Sequence, residues 1–471
     1  MAEQLLQWLE DGQRALEAGR FPDAIDPFTR VRDLLPTDTS IAIALANVFR
    51  LSGDVAMARR TLLTAWVNSA WTDATVAHSL GAALLDAGAP GEAAACFGHV
   101  VSLLPNSAAA LGALAGALRT LGDPAAAWPL IQRALAKPPR AAADPALLLT
   151  AAQIRHDFGD LTGTLHFLDR AEQLRPNHAP TQLQRAYSML LHGALGVGWA
   201  AFEARALPVP ATTAHAWHGE PLDGASVLVT AEQGVGDQFQ FVRFVAHLIG
   251  RGAGRVVVEC HADAVSLFAA NGLEAVARGT PPETDWHVPM LSLPHRLGLD
   301  ANVAGDLVPY LRAPNAPSRQ PADRTNTRRI GLVWAGNPSF AGRVTRDFAP
   351  ALLPDIVAIP GIEWVSLQQG EAGDVPTAHL IRAPLSTDWA MTANLLASLD
   401  GLVTTDTGIA HLAGAMGIPT WVLLQHVPDW RWALEGAHTP WYPTLQLLRQ
   451  SSWNDWPGVV EKLRSAIATG S

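Results

Sequence analysis

Three short stretches put polar side chains where an apolar run meets a helical one. The first is "VTTDTGIAHLAGAMGIPTWVLL", Val403 to Leu424. Asp406, Thr407 and Gly408 follow the β-branched run "LDGLVTT" and open "GIAHLAGAMG", which Gly417 and Pro419 close. A helix N-terminus presents unpaired N–H groups and roughly half a positive charge. Glycine there lets a ligand phosphate approach the backbone, and Thr407 adds a hydroxyl donor. His411, one turn on, can look back at such a ligand. The same corner has a structural reading, with Asp406 as an N-cap and His411 as a satisfied core histidine.

The second stretch is "TAEQGVGDQFQFVR". Gly234 and Gly236 flank Val235, and Asp237 follows at the mouth of a helix. A dinucleotide fingerprint needs a third glycine where Phe239 stands, so NAD binding is disfavoured. The glycines instead let the loop turn tightly beside a substrate, with the Asp237 carboxylate projecting into a cleft; the alternative is Asp237 capping its own helix. The third stretch, "GLVWAGNPSFAGRVTRDF", carries Gly336, Asn337, Arg343 and Arg346 beyond a strand. Arginines in that position suit an oxyanion or a diphosphate. Lysine occurs only at Lys137 and Lys462, so a phosphate held by a charged side chain is expected on arginine. In "WVSLQQG", Gln368 and Gln369 at another strand end offer amides to a base or ribose.

The elements that must position these residues alternate. "ASVLVTAEQGVGDQFQFVRFVAHLIGRGAGRVVVEC" reads strand, glycine loop, helix, strand. Further strands are expected at "RIGLVWAGNP", "IEWVSLQ", "LDGLVTT" and "PTWVLL", with helices between and an amphipathic helix at "WPGVVEKLRSAIATG". The pattern predicts two α/β lobes, 191–312 and 328–471, joined by a Pro-rich linker at 313–327 and facing across a cleft.

The preceding residues, 1–190, repeat. Gly19, Gly53, Gly88, Gly122 and Gly159 stand 34, 35, 34 and 37 apart. Five residues after each comes a small residue (Ala24, Ala58, Ala93, Ala127, Thr164), and four further on a larger one (Phe28, Leu62, Phe97, Ile131, Leu168). Proline closes most units, at Pro36, Pro105, Pro139 and Pro176. Glycine ends one helix cheaply, the small residue admits the next, and proline stops it. The fold class is therefore an all-helical solenoid followed by two α/β lobes.

Bulk composition narrows the function classes. At 471 residues and 49% hydrophobic content the chain is long enough for two or three domains. A net charge of −10 argues against general attraction to nucleic acid or anionic membrane. Cys96 and Cys260 have no metal-type spacing, which argues against a disulfide framework and a zinc site. The acidic start lacks a signal-peptide pattern, and no run of about 18 apolar residues occurs, so a cytoplasmic location is expected.

The repeats resemble the tetratricopeptide repeat, with Trp8, Leu45, Leu80 and Leu114 at first-helix positions. The whole chain resembles bacterial proteins that join such repeats to a two-lobed, GT-B type glycosyltransferase related to heptosyltransferases. The stretches carrying the resemblance are "GWAAFEAR", "AEQGVGDQFQFVRF", "MLSLPHRLG", "GLVWAGNP", "DTGIAHLAGAMGIPTWVLL" and "PDWRWALEGAHTPWYPTLQLLRQ". The resemblance implies an inverting, metal-independent enzyme moving a sugar from a nucleotide-sugar co-substrate to a protein hydroxyl. It implies no further cofactor, and a protein acceptor held by the repeats, flagellin being one example. Asp237 becomes the catalytic base. Gly234, Gly236, Asn337, Arg346, Gln368, Asp406, Thr407, Gly408 and His411 become donor-binding. After "WAGNP" the family often carries a histidine and an acid-rich run, where this chain has Phe340, Arg343 and Asp347. The altered loop motivates an alternative: a repeat adaptor carrying a degenerate glycosyltransferase-like module.

Overall fold

The computed structural model describes residues 2–136, 144–279, 281–299, 308–315, 327–337, 343–370, 380–383 and 386–469. The chain divides into two compact units, Met1–Phe158 with His166–Pro176, and Gly159–Leu165 with Asn177–Ser471.

The first unit is a solenoid of antiparallel helix pairs: α1 (Ala2–Glu17) with α2 (Phe21–Leu34), α3 (Thr39–Leu51) with α4 (Val55–Asn68), α5 (Ala74–Asp86) with α6 (Pro90–Leu103), α7 (Ala108–Thr120) with α8 (Pro124–Leu135), then α9 (Pro145–Asp157). The repeat glycines sit just past the first helix of each pair with positive φ, from 70° at Gly19 to 85° at Gly53. Asp38, Asp73, Ser107 and Asp144 cap helix starts with side-chain oxygens on backbone N–H groups. Ala24, Ala58, Ala93 and Ala127 are fully buried at the predicted small positions. At Gly12 and Gly81 the partner helix's aromatic ring fills the space: a Cβ at Gly81 would lie 2.7 Å from Phe97 and one at Gly12 3.0 Å from Phe28.

The boundary between the units falls within α10 (Leu161–Leu174). A sixth repeat glycine, Gly193 at φ 78°, joins α11 (Ala179–Leu191) to α12 (Leu195–Phe202). The expected end of the repeats at 190 thus splits a helix pair, with Gly198 at the small position and Phe202 at the large one. This pair belongs to the second unit because Trp199 meets Trp430 edge-on at 5.1 Å and Phe241 at 5.8 Å.

The rest of the second unit is built on two sheets. The first contains β1 (His215–Ala216), β2 (Ser226–Thr230), β3 (Arg255–Cys260), β4 (Glu274–Ala277) and β5 (Trp286–Pro289), ordered β1-β5-β2-β3-β4 and parallel throughout. The second contains β6 (Arg328–Val333), β7 (Ile362–Ser366), β8 (Leu380–Arg382), β9 (Gly401–Thr405), β10 (Thr420–Leu424), β11 (His438–Thr439) and β12 (Tyr442–Arg449). Its order is β11-β12-β10-β9-β6-β7-β8, parallel except for the β11–β12 pair. The strands expected in "RIGLVWAGNP", "IEWVSLQ", "LDGLVTT" and "PTWVLL" are present as β6, β7, β9 and β10; β8 and the β11–β12 pair were not expected.

Strand order reverses direction between β2 and β5 in the first sheet and between β6 and β9 in the second. In open α/β sheets such reversals leave a crevice beyond the strands' carboxyl ends. The segments leaving β2, β6 and β9 are the three stretches singled out above. One buried apolar cluster runs from Ala186 through Val227, Val258 and Val288 to Leu402, Val422 and Leu424, so both sheets share a core. On the other face of the second sheet, Ile330, Trp364 and Val403 pack with Val459 and Leu463. Of the expected linker, Asn315 is held by the Asn394 side chain at 2.8 Å, while 316–326 lie outside the described residues.

Two glycines in α12 separate packing from propensity. A Cβ at Gly198 would lie 2.6 Å from the buried Leu190 side chain and 3.2 Å from its backbone nitrogen, whereas nothing stands within 4 Å of one at Gly196. Gly198→Ala is expected to lower stability by about 1–3 kcal/mol through overpacking. Gly196→Ala is expected to raise it by up to about 1 kcal/mol. Urea unfolding of both variants checks the pair; equal effects would contradict the packing.

Candidate functional site

The site is assembled at the two strand-order reversals. After β2 the chain passes through Gln233, a non-glycine residue at φ 54°, into α13 (Val235–Phe241). The Asp237 carboxylate turns back and accepts from Gly234 N at 3.0 Å, tying down the start of its own helix. After β9, Thr407 takes the N-cap position of α14 (Gly408–Met416) in extended conformation. Its hydroxyl bonds Thr404 Oγ1 at 2.9 Å and Thr405 O at 3.3 Å, so the first N–H groups of α14 receive no side-chain cap. Gly417 at φ 72° ends that helix, as predicted.

These two helix starts touch. A Cβ built on Gly236 would lie 2.9 Å from Gly408 Cα and 3.0 Å from His411 Cδ2. The contact brings two ends of like, positive polarity together, an arrangement that negative side chains must offset. A largely half-buried chain of alternating charges does so. Asp237 Oδ1 pairs with Arg431; Arg431 Nη1 donates to Asp429 Oδ1 at 2.8 Å. Asp429 Oδ2 receives Arg346 Nη2 at 3.2 Å, and Arg346 Nη1 reaches Asp406 Oδ2 at 3.3 Å. Arg431 Nε also donates to Gln240 Oε1 at 2.7 Å. Three carboxylates and two guanidiniums thus run from one sheet's corner to the other's, with a formal excess of one negative charge beside the two helix ends.

Burial governs how these groups titrate. It pushes the Asp237 carboxyl above the ordinary range, with Arg431 pulling the other way. Asp406 is likewise raised by burial against the opposing pull of Arg346. Burial also opposes ionisation of Asp429, but Arg431 and Arg346 outweigh it and hold this carboxyl below the ordinary range. His411 Nδ1 shares a 3.0 Å hydrogen bond with the Tyr442 hydroxyl, and its ring stacks on Trp432 at 5.2 Å and 19°. Burial, then the nearby Arg431 charge, drives the imidazole well below its usual pKa, so it stays neutral.

The remaining predicted residues separate. Gly336 N is held by Asp347 at 3.0 Å, and a Cβ at Gly336 would sit 3.5 Å from Thr407 Cγ2, so this turn stands beside the α14 corner. Asn337 and Gly234 are exposed at the rim. Gln368 faces the backbone instead: its Oε1 accepts from Trp334 N at 3.0 Å and Ala335 N at 2.9 Å, while Nε2 donates to Ala335 O at 3.0 Å. It braces the exit of β6. The Arg343 side chain and residues 338–342 lie outside the described ones. An open cleft between the Asp237 and Asp406 corners was expected. The corners meet directly instead, because Gly236 and Gly408 have no side chains to hold them apart. A cavity of about 140 Å³ lies instead beyond β7 and β8, lined by Ser366, Gln369, Ser386 and Met391 together with the predicted Gln368.

Other stretches singled out in the sequence brace this site with buried charge. Arg205 grips Glu232 bidentately, at 2.7 and 2.8 Å, and donates to Ser292 Oγ at 2.7 Å; Arg296 joins through Glu203 at 2.7 Å. That network joins "GWAAFEAR", "AEQG" and "MLSLPHRLG". Arg243 donates to Trp441 O at 3.0 Å and Tyr310 Oη at 2.8 Å while lying over the Tyr310 and Tyr442 rings. Sequence reasoning did not single out Asp429 and Arg431. Their signal was an acid and a base set among tryptophans in "PDWRW", where charge implies a buried pair.

No family model matches the chain. It is similar to Protein FlbA of Caulobacter vibrioides, 24% identical over 550 residues that span 96% of this chain and 89% of that protein. Solved structures with a likeness include MamA protein, 16% identical with a TM-score of 0.31 over 38% of this chain and 96% of that one. Another is a thermophilic TPR protein of Thermus thermophilus, 18% identical with a TM-score of 0.35 over 40% and 99%. A third is the APC/C hetero-tetramer Cut9-Hcn1, 16% identical with a TM-score of 0.37 over 43% and 40%.

The neutral His411 has a pH signature. Its folded pKa is depressed, so below about pH 6.5 the unfolded chain gains a proton that the folded chain does not. Stability from this group is full above that pH and falls below it by up to about 1.4 kcal/mol per pH unit. His411→Gln should flatten the decline in stability between pH 6 and pH 5 by about 1 kcal/mol per unit. Urea melts at pH 7, 6 and 5 measure it; parallel profiles for the two proteins would show that His411 is not held neutral.

Proposed function

We propose that the second unit is a GT-B type glycosyltransferase that moves a sugar from a nucleotide-sugar donor to a protein hydroxyl with inversion. One observation carries the reading. The corners at the two strand-order reversals converge on a single cluster that joins a raised-pKa carboxylate, Asp237, to an uncapped helix N-terminus flanked by Arg346. In this mechanism the acceptor oxygen attacks the anomeric carbon. The bond from that carbon to the donor phosphate oxygen breaks, and Asp237 takes the acceptor's proton. The leaving nucleoside diphosphate is stabilised by Arg346, the Thr407 hydroxyl and the α14 N–H groups, without a metal. Asn337 at the rim and Gly336 beside the α14 corner border its path, and the cavity beyond β7 and β8 takes the nucleotide's base. Arg431 steadies Asp237 until the acceptor engages it. The helical repeats supply the protein partner surface, such solenoids being built for polypeptide recognition; flagellin is one acceptor to try.

A second reading rests on the contact between Gly236 and Gly408. A unit whose helix ends are packed against each other is suited to serve as a rigid module of a repeat adaptor.

A panel of nucleotide sugars with a flagellin acceptor distinguishes the two. Transfer is expected from at least one donor, with Asp237→Asn reducing kcat about 10²–10⁴-fold and changing donor affinity little. Full activity in Asp237→Asn would remove the residue from its role. Failure of every donor to bind or turn over would favour the adaptor.

A further inference from the structure

Arg431 reaches Asp237 from the loop 429–436, and that loop is held in an unusual way. Trp430–Trp432 form a single 3₁₀ turn. The next residue, Ala433, has φ 55° and ψ 176°. Positive φ with extended ψ is essentially a glycine conformation, because a Cβ meets the neighbouring carbonyl there. Such a residue persists only where its surroundings over-determine it.

What surrounds it is Arg449, at the end of β12. Among the described residues, its side-chain hydrogen bonds end on carbonyl oxygens alone. Nη2 donates to Trp432 O at 2.5 Å, Nη1 to Ala433 O at 2.9 Å and Nε to Gly436 O at 3.1 Å. Burial without a charged partner pulls its pKa down to about 10. A cation half out of water and paired only with carbonyls is costly to keep, and here it spans both sides of the disfavoured residue. Next to it, Thr439 Oγ1 donates to Arg431 O at 3.1 Å, so the turn is fixed on two sides.

We infer that Arg449 is a positioning residue: by gathering the carbonyls of residues 432–436 it holds Ala433 in a glycine-type conformation and so presses Arg431 onto Asp237. The meaning of this device for catalysis rests on the transfer reading above. The device itself does not.

A rescue cycle in the full-length protein tests it, read by hydrogen exchange at the amides of residues 430–434. Arg449→Met is expected to raise exchange there roughly tenfold, the scale on which a disfavoured conformation of this kind relaxes once released. Adding Ala433→Gly is expected to bring exchange back to within about threefold of wild type, since glycine adopts that conformation without the Cβ clash. Ala433→Gly alone should slow exchange or leave it unchanged. If Arg449→Met does not fold, recovery of the fold in the double variant supports the inference and its absence overturns it. Unaltered exchange in a folded Arg449→Met, or a tenfold rise that Ala433→Gly leaves in place, overturns it as well. Sugar transfer is assayed separately on the same proteins. Loss of transfer chemistry in wild type with the exchange cycle intact would sink the transfer reading and leave the positioning role standing.

Discussion

Two helix N-termini meeting head to head is the constraint from which the site follows. Each end carries about half a positive charge and unpaired N–H groups. Bringing two together is unfavourable unless anionic groups lie beside both, one in the first turn of α13 and one just before the N-cap of α14. Asp237 and Asp406 provide them. Half-buried carboxylates need partners in turn, which are Arg431 and Arg346, and two guanidiniums need a shared anion between them, which is Asp429. The alternating chain links both corners where Gly236 rests on Gly408. Removing Arg431 or Arg346 would leave a terminal carboxylate without its guanidinium, and removing Asp429 would take away the anion the two guanidiniums share, whereas the glycines remove the steric obstacle.

Much of the architecture was legible because it rests on local rules. Glycine at a helix end needs positive φ, and the repeat spacing alone was enough to place those glycines. Short β-branched runs became strands, and "GIAHLAGAMG" became a helix bounded by Gly417. The sixth repeat escaped notice because its small position is Gly198, inside the run "GALGVGW" that reads as the start of something new. The β11–β12 pair escaped because proline, tryptophan and charge interrupt its pattern; the pairing comes from β10 alongside it, a contact distant in sequence. The site was half legible. Asp237, Thr407, Gly408 and Arg346 could be placed at strand ends from pattern alone. That the two glycine corners would touch depends on how two sheets share one core, and no local signal reports that. Gln368 shows the converse: an amide at a strand end looked available, yet the backbone turn leaving β6 needed it more.

Arginine's dominance over lysine takes on a structural sense here. Arg205, Arg243, Arg431 and Arg449 each make several directed hydrogen bonds from a buried or half-buried position. A planar guanidinium with five donors can join carboxylates, hydroxyls and carbonyls from separate elements, where an ammonium could not hold the same fork. Stretches that make a sequence resemble a family are therefore not all sites of chemistry. Arg205 and Glu232 lie in two of the resembling stretches and act as a clamp under the Asp237 corner.

The closed corner also bears on how such a unit could work. A carboxylate whose pKa is raised by burial is a better proton acceptor near neutrality than a solvated one, but only if a hydroxyl can reach it. Both Asp237 oxygens already have donors, the backbone at Gly234 and the guanidinium of Arg431. The backbone bond is part of the helix start and is expensive to give up. The guanidinium is a side-chain partner from the loop 429–436, so under the proposed transfer it is the contact that an acceptor hydroxyl would replace. Under the proposed transfer, that loop would keep the carboxylate paired at rest and give up this contact when a substrate arrives. The shared core and the strained loop are then complementary parts of one arrangement, the first fixing where the carboxylates sit and the second setting which cation Asp237 meets.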